Sequence, residues 1–145
     1  MRVFFSALVV ILLFNPFATA GQGFLGFFEG NLGGKPGHFC SLTVWRSSLD
    51  TVYFRATDGE VTHEFALFTH ELFGAISPDG RYLNVRIQRM KSAATYSNVT
   101  YWFRAVFSGN GHIKYFDSHA ASAFLDVVPG SLSRIQCANL HKLDL

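Results

Sequence analysis

The sequence predicts an all-β protein: an antiparallel up-and-down barrel or sandwich of about eight strands, with one short helix before the last strand. Three observations lead there. Apolar and polar residues alternate with period two along most of the chain beyond residue 20, as half-buried strands require. Turn signals, among them Asp58-Gly59, Ser77-Pro78-Asp79-Gly80 and Ser108-Gly109-Asn110-Gly111, separate those runs at roughly the 8–12-residue spacing of all-β domains. Finally, 16 Phe, 5 Tyr and 2 Trp in 145 residues supply the bulk for an aromatic core.

The first strand is expected at 24–32 ("FLGFFEGNL"), with glycines close to bulky aromatics. The second, 38–46, puts Cys40, Leu42 and Val44 on one face and Phe39, Ser41, Thr43 and Trp45 on the other. A turn at "SSLD" joins it to 50–57, where Val52, Phe54 and Ala56 share a face. Segment 61–73 fits two patterns. Val61, Phe65, Phe68 and Leu72 have helical spacing, whereas Val61, His63, Phe65 and Leu67 share a strand face. A strand followed by a turn is the favoured reading, because its neighbours are strands.

The Ser77–Gly80 turn leads into 81–89, with Leu83, Val85 and Ile87 inward and Tyr82, Asn84, Arg86 and Gln88 outward. Residues 91–98 are expected as a loop and 99–107 as a long strand with bulky residues on both faces. A short strand follows at 112–116. "DSHAASAFL" (117–125) is Ala-rich, begins with capping residues and is followed by Pro129-Gly130, which predicts a helix. Alternation returns at 132–140, with Ile135 and Cys137 in one phase.

Residues 1–20 read as a signal peptide. Arg2 gives the positive start, Val3–Phe14 the apolar stretch, and Ala18-Thr19-Ala20 a small-residue cleavage site. That stretch is short of the about 20 residues needed to span a bilayer. The expectation is cleavage after Ala20, a single β domain over 21–145, no transmembrane segment after cleavage, and a periplasmic or secreted location. The formal net charge is +2 and no basic run occurs, so nucleic acid is not an expected partner. Asn98-Val99-Thr100 is a glycosylation sequon if the chain passes through a eukaryotic secretory pathway.

Cys40 and Cys137 are the two cysteines, and in an exported chain a pair reads first as a disulfide. The alternatives are a metal ligand, for which no paired C-x-x-C spacing exists, and a thiol nucleophile beside His38. His63 and His70, with Glu64 and Glu71, form the densest group of metal-capable residues, but H-E-x-x-H is absent. No metal and no cofactor are expected. Nor is there a G-x-S-x-G or a phosphate-binding glycine loop.

Two groups of residues are candidate sites. If 61–67 is a strand, His63 interrupts an apolar face, as Tyr101 does between Val99 and Phe103. Together with Phe54, Phe65 and Phe103 they would line an interior ligand cavity. The competing reading is a core His and Tyr satisfied by internal hydrogen bonds. The outward phases carry Phe39, Trp45, Tyr53, Phe68, Tyr82 and Trp102, of which Trp45, Tyr53 and Trp102 are the candidate interaction face.

The chain resembles small exported bacterial proteins of unknown role. In these a glycine-aromatic opening ("GFFEG" here) precedes a "GK…C-S-L" strand ("GKPGHFCSL"), and the last strand carries a second Cys ("IQCANL"). The resemblance implies a periplasmic or secreted β protein with one end-to-end disulfide, and no activity. The strand count, late helix and final strand also resemble the lipocalin-type barrel, with "GFF" in place of its G-x-W.

The expected function is an exported, non-enzymatic β-barrel that binds a small apolar ligand or a protein partner. The alternative is an envelope-associated interaction or dimerisation module using its exposed aromatic face. A third reading is an enzyme with a spatially assembled acid or His site.

Overall fold

Consecutive strands pair with one another everywhere but between the fourth and fifth, which is what short turns between alternating segments produce. In this computed structural model the described residues are 24–48, 50–92, 97–124 and 132–144. Residues 1–20, read as a signal peptide, residues 93–96 and Pro129-Gly130 lie outside them, as does the side chain of Asn98; of the loop expected at 91–98, residues 91–92 belong to a strand and 97–98 begin the next. The elements are β1 (Gly26–Leu32), β2 (Phe39–Ser48), β3 (Thr51–Thr57), β4 (Thr62–Phe68), α1 (Thr69–Ala75), β5 (Tyr82–Ser92), β6 (Ser97–Phe107), β7 (Ile113–Phe124) and β8 (Leu132–Leu143). They form one antiparallel sheet in the order β4-β3-β2-β1-β8-β7-β6-β5.

The first and last strands therefore lie side by side, with Phe27 opposite Leu143 and Leu32 opposite Cys137. The sheet is a nearly closed up-and-down barrel. Its seam falls between β4 and β5, which α1 connects. The start of β5 is covered there by a bridge from Ile76 to Leu83 and by the Ser77 N–H donating to the Tyr82 carbonyl at 2.8 Å.

Period two sorts the side chains as expected. Cys40, Leu42 and Val44 on β2, Val52, Phe54 and Ala56 on β3, and Leu83 and Ile87 on β5 are buried. Tyr82, Asn84, Arg86 and Gln88 face out. The centre holds Phe54, Phe103 and Phe116, each fully enclosed.

The disulfide is present: Cys40 and Cys137 are bonded, with Cα atoms 6.0 Å apart and a separation of 97 positions in sequence. It does not join neighbouring strands. β2 and β8 flank β1, so the bridge crosses the inner face of β1. In a flat sheet such strands would stand about 9.5 Å apart, twice the usual spacing. The sheet must fold sharply about β1 for the bond to form. Two features allow it. Gly30 lies under the bridge, opposite Cys40; a Cβ there would come within 3.2 Å of Cys137 Sγ and 2.5 Å of the Ala138 carbonyl oxygen. Across β1, the register of β8 shifts between Glu29 and Asn31, and Asn139 in that bulge takes a left-handed φ of 54°.

Two elements differ from expectation. The short helix does precede the last strand, but at 69–75, well upstream. Segment 61–73 is thus both of its readings in turn: strand to Phe68, then helix, with Glu71 Oε2 accepting the Phe68 N–H at 2.8 Å at the boundary. The expected helix at 117–125 is instead the second half of β7, through Phe124. Ala-rich composition favours a helix locally, but pairing with β6 on one side and β8 on the other overrides it. The small residues have a packing role: Ser118 and Ala120 point inward and are buried, leaving room for β4 to reach β7 across the barrel.

Replacing Gly30 by Ala should destabilise the protein by about 1–3 kcal/mol, the usual cost of overpacking. Gly109→Ala, whose Cβ meets nothing within 4 Å, should change stability by less than about 0.5 kcal/mol. Urea denaturation of the two variants measures the difference.

Candidate functional site

Three regions could carry function: the interior, the outer face of β5–β7, and the outer face of β2–β4.

The structure brings all five interior candidates together. Phe54 stacks on Phe65 at 4.9 Å between centroids, and Phe103 packs against both at 5.4 and 5.2 Å. Tyr101 lies 5.9 Å from Phe65 and edge-on to His63 at 6.0 Å. Phe116 continues the stack beyond Phe103. These rings fill the space between them with one another. His63 is 1% exposed and is held by two hydroxyls, Nδ1 at 2.7 Å from Ser118 Oγ and Nε2 at 2.8 Å from Ser133 Oγ. One ring nitrogen donates and the other accepts, and each serine can take either role. Burial pushes the His63 pKa below its ordinary value; Asp58 opposes that shift and His119 adds to it. The residue is a neutral tie between β4 and the β7–β8 pair. Burial also pushes the Tyr101 hydroxyl up, so it stays protonated.

The other candidate groups separate. His70 and Glu71 lie exposed on α1, while Glu64 faces out and pairs with Arg55 at 3.1 Å. Among the described residues no three His, Cys, Asp or Glu side chains converge on a metal site. Cys40 has no free thiol.

The three residues of the expected interaction face do not form one patch. Trp45 and Tyr53 stack at 5.3 Å on the outside of β2 and β3. Trp102 is on β6, four strands away in the sheet order, on the far side of the barrel. The Arg55 guanidinium lies 5.3 Å over the Trp45 ring, and its charge is met by Glu64.

The face around Trp102 is built differently. The register aligns Arg86 with Trp102 and His119 across β5–β7, and Asn84 with Arg104 and Asp117 in the next row. These six side chains, all pointing outward, line a groove of about 420 Å³. Trp102 is 37% exposed there. Arg86 lies 5.7 Å over the Trp102 ring and Arg104 lies 5.4 Å over Tyr82. Asp117 forms two bonds with Arg134, at 2.9 and 2.7 Å, and lies 2.9 Å from His119 Nε2. Burial pushes the Asp117 carboxyl up, but its bonds from Arg134 and His119 outweigh burial and hold it below its ordinary range. Its charge is therefore fixed and already compensated.

No family model, no curated protein and no solved structure matches the chain. What the face can do must be read from its own residues.

Sequence reasoning named Trp102 and Arg86 as outward but missed the groove. Arg104 sits two residues after Trp102 on the same strand face, a signal visible in "YWFRAVF". Asp117 and His119 were hidden by the helical reading of 117–125.

The His63 shift predicts a pH dependence. The unfolded chain takes up a proton on this histidine near pH 6.5, while the folded protein resists it. Stability should fall as pH drops below about 6.5, and level off only below the folded-state pKa. Urea midpoints between pH 8 and pH 5 should show this slope, and His63→Gln should reduce it by up to about 1.4 kcal/mol per pH unit.

Proposed function

We propose that the protein is an exported, non-enzymatic binding module that holds a saccharide on the outside of its barrel, in the groove around Trp102. The observation that carries this reading is the placement of a half-exposed indole inside a groove walled by hydrogen-bonding side chains. Its volume, about 420 Å³, lies within the roughly 300–1,000 Å³ of small-molecule sites. A sugar ring offers apolar C–H faces to an indole and hydroxyls to its surroundings. Asn84 supplies an amide donor and acceptor, and Arg86, Arg104 and His119 supply N–H groups.

The interior offers less. A guest there would have to displace Phe54, Phe65 or Phe103, each at most 4% exposed and in contact with the others, against a close-packed core. Export is supported by the disulfide, which persists in oxidising compartments, and by the signal-like residues 1–20. No helix among the described residues is long and apolar enough to cross a membrane.

Trp102→Ala should weaken oligosaccharide binding about 30-fold, corresponding to the roughly 2 kcal/mol of a hot-spot truncation. Trp45→Ala, on the opposite face, should leave binding unchanged. A glycan array followed by calorimetry on its strongest hit tests both. Equal loss in the two variants, or no saccharide bound at all, would count against the reading.

A further inference from the structure

We infer that the saccharide is an acidic one, and that Arg86 and Arg104 recognise its carboxylate or phosphate groups. This rests on the proposal that the groove around Trp102 binds sugar, and it adds the chemical class of that sugar.

The inference comes from how the protein treats its outward arginines. Arg55 and Arg134 each have a carboxylate in contact: Glu64 at 3.1 Å and Asp117 at 2.7 Å. Arg86 and Arg104 form no ion pair among the described residues. Both are instead laid over aromatic rings, 5.7 Å from Trp102 and 5.4 Å from Tyr82. A cation–π contact holds a guanidinium near the ring without satisfying its N–H groups. The edges stay available to accept a carboxylate or phosphate, bidentately where the approach allows.

Asp117 stands opposite Arg104 in the register and could have neutralised it. Its two oxygens are directed to Arg134 and His119 instead. The three guanidiniums and one carboxylate at and beside the groove sum to a positive charge. Arg86 and Arg104 are diagonal neighbours, which sets their Cα atoms about 7–8 Å apart. Two such cations beside one stacking ring fit a chain of charged sugars better than an isolated anion. An acidic protein segment would satisfy the arginines, but it gives no reason for the indole to lie in the groove. The geometry therefore favours a polymer in which ring and charge recur together.

The test is calorimetry with three probes at low and moderate salt: oligogalacturonate, a neutral galacto-oligosaccharide and a phosphorylated oligomannose. Carboxylated and phosphorylated chains are the two sources of the charge, and the first and third probes separate them. The expected result is binding of at least one acidic probe at least tenfold tighter than the neutral one, weakened by salt. Arg86→Gln and Arg104→Gln should each weaken acidic binding about tenfold and neutral binding by a clearly smaller factor, since a neutral sugar loses only an N–H donor to a hydroxyl. Both residues are exposed, and circular dichroism checks that the variants fold.

Equal binding of acidic and neutral probes, with loss in Trp102→Ala, would overturn the acidic assignment and leave the saccharide reading standing. Binding of no sugar would remove both. Polyglutamate or phosphatidylglycerol vesicles bound as tightly as the acidic sugars would also overturn it, by showing a site for charge alone.

Discussion

The bridge between Cys40 and Cys137 over Gly30 is the constraint on which the rest of the barrel depends. A two-strand separation closed to 6.0 Å forces the sheet to turn a corner at β1. Once it turns there, β2–β4 and β8–β5 fold toward each other as two walls. The bond also fastens the chain's second strand to its last. In the chain-entropy account, closing a loop near 100 residues can contribute up to about 4.7 kcal/mol, chiefly by restricting the unfolded chain. Only a glycine fits beneath the bond, and only a bulge lets β8 follow the bend. Covalent chemistry, one missing side chain and one left-handed asparagine therefore act as a single device.

The opposite side of the barrel has no such staple, and the walls are held by side chains instead. β4 and β5 are the ends of the sheet, an arrangement that ordinarily exposes unpaired backbone. Here α1 bridges the two ends, with Leu72 buried. His63 then reaches across the interior to the hydroxyls of Ser118 and Ser133. A leucine in its place could fill the volume but could not make those two bonds. The small residues of β7 are the counterpart of this reach: a bulkier pair than Ser118 and Ala120 would keep β4 away. The same approach brings the phenylalanines into mutual contact.

Much of this was legible in the sequence. The strand count, the inward phase of β2, β3 and β5, the Ser77–Gly80 turn and the cysteine pair follow from period two and from residue chemistry acting over a few positions. The five interior candidates are also neighbours, because inward phase on each strand was enough to bring them to one core. What failed was non-local. The 117–125 segment reads as a helix because Ala and Ser carry little β signal; its strand state comes from two partners distant in sequence. Trp45 and Trp102 share an outward phase, but phase says nothing about which side of a closed barrel a strand occupies. That is decided by strand order alone.

The groove was illegible for the same reason, and its chemistry depends on it. Arg86, Trp102 and His119 belong to three strands, and only the β5–β6–β7 register sets them in one row. In the adjoining row, Asn84–Arg104–Asp117, the decisive event is a competition for Asp117. Arg134 reaches it from β8 with a fork of two bonds, which a single-bond contact from Arg104 would not match. Arg104 is left to the face of Tyr82, where its positive charge is supported but not cancelled. On the far face there is no such competitor: Glu64 answers Arg55 directly. One extra arginine on β8 thus distinguishes a self-neutralised surface from one that holds positive charge in reserve.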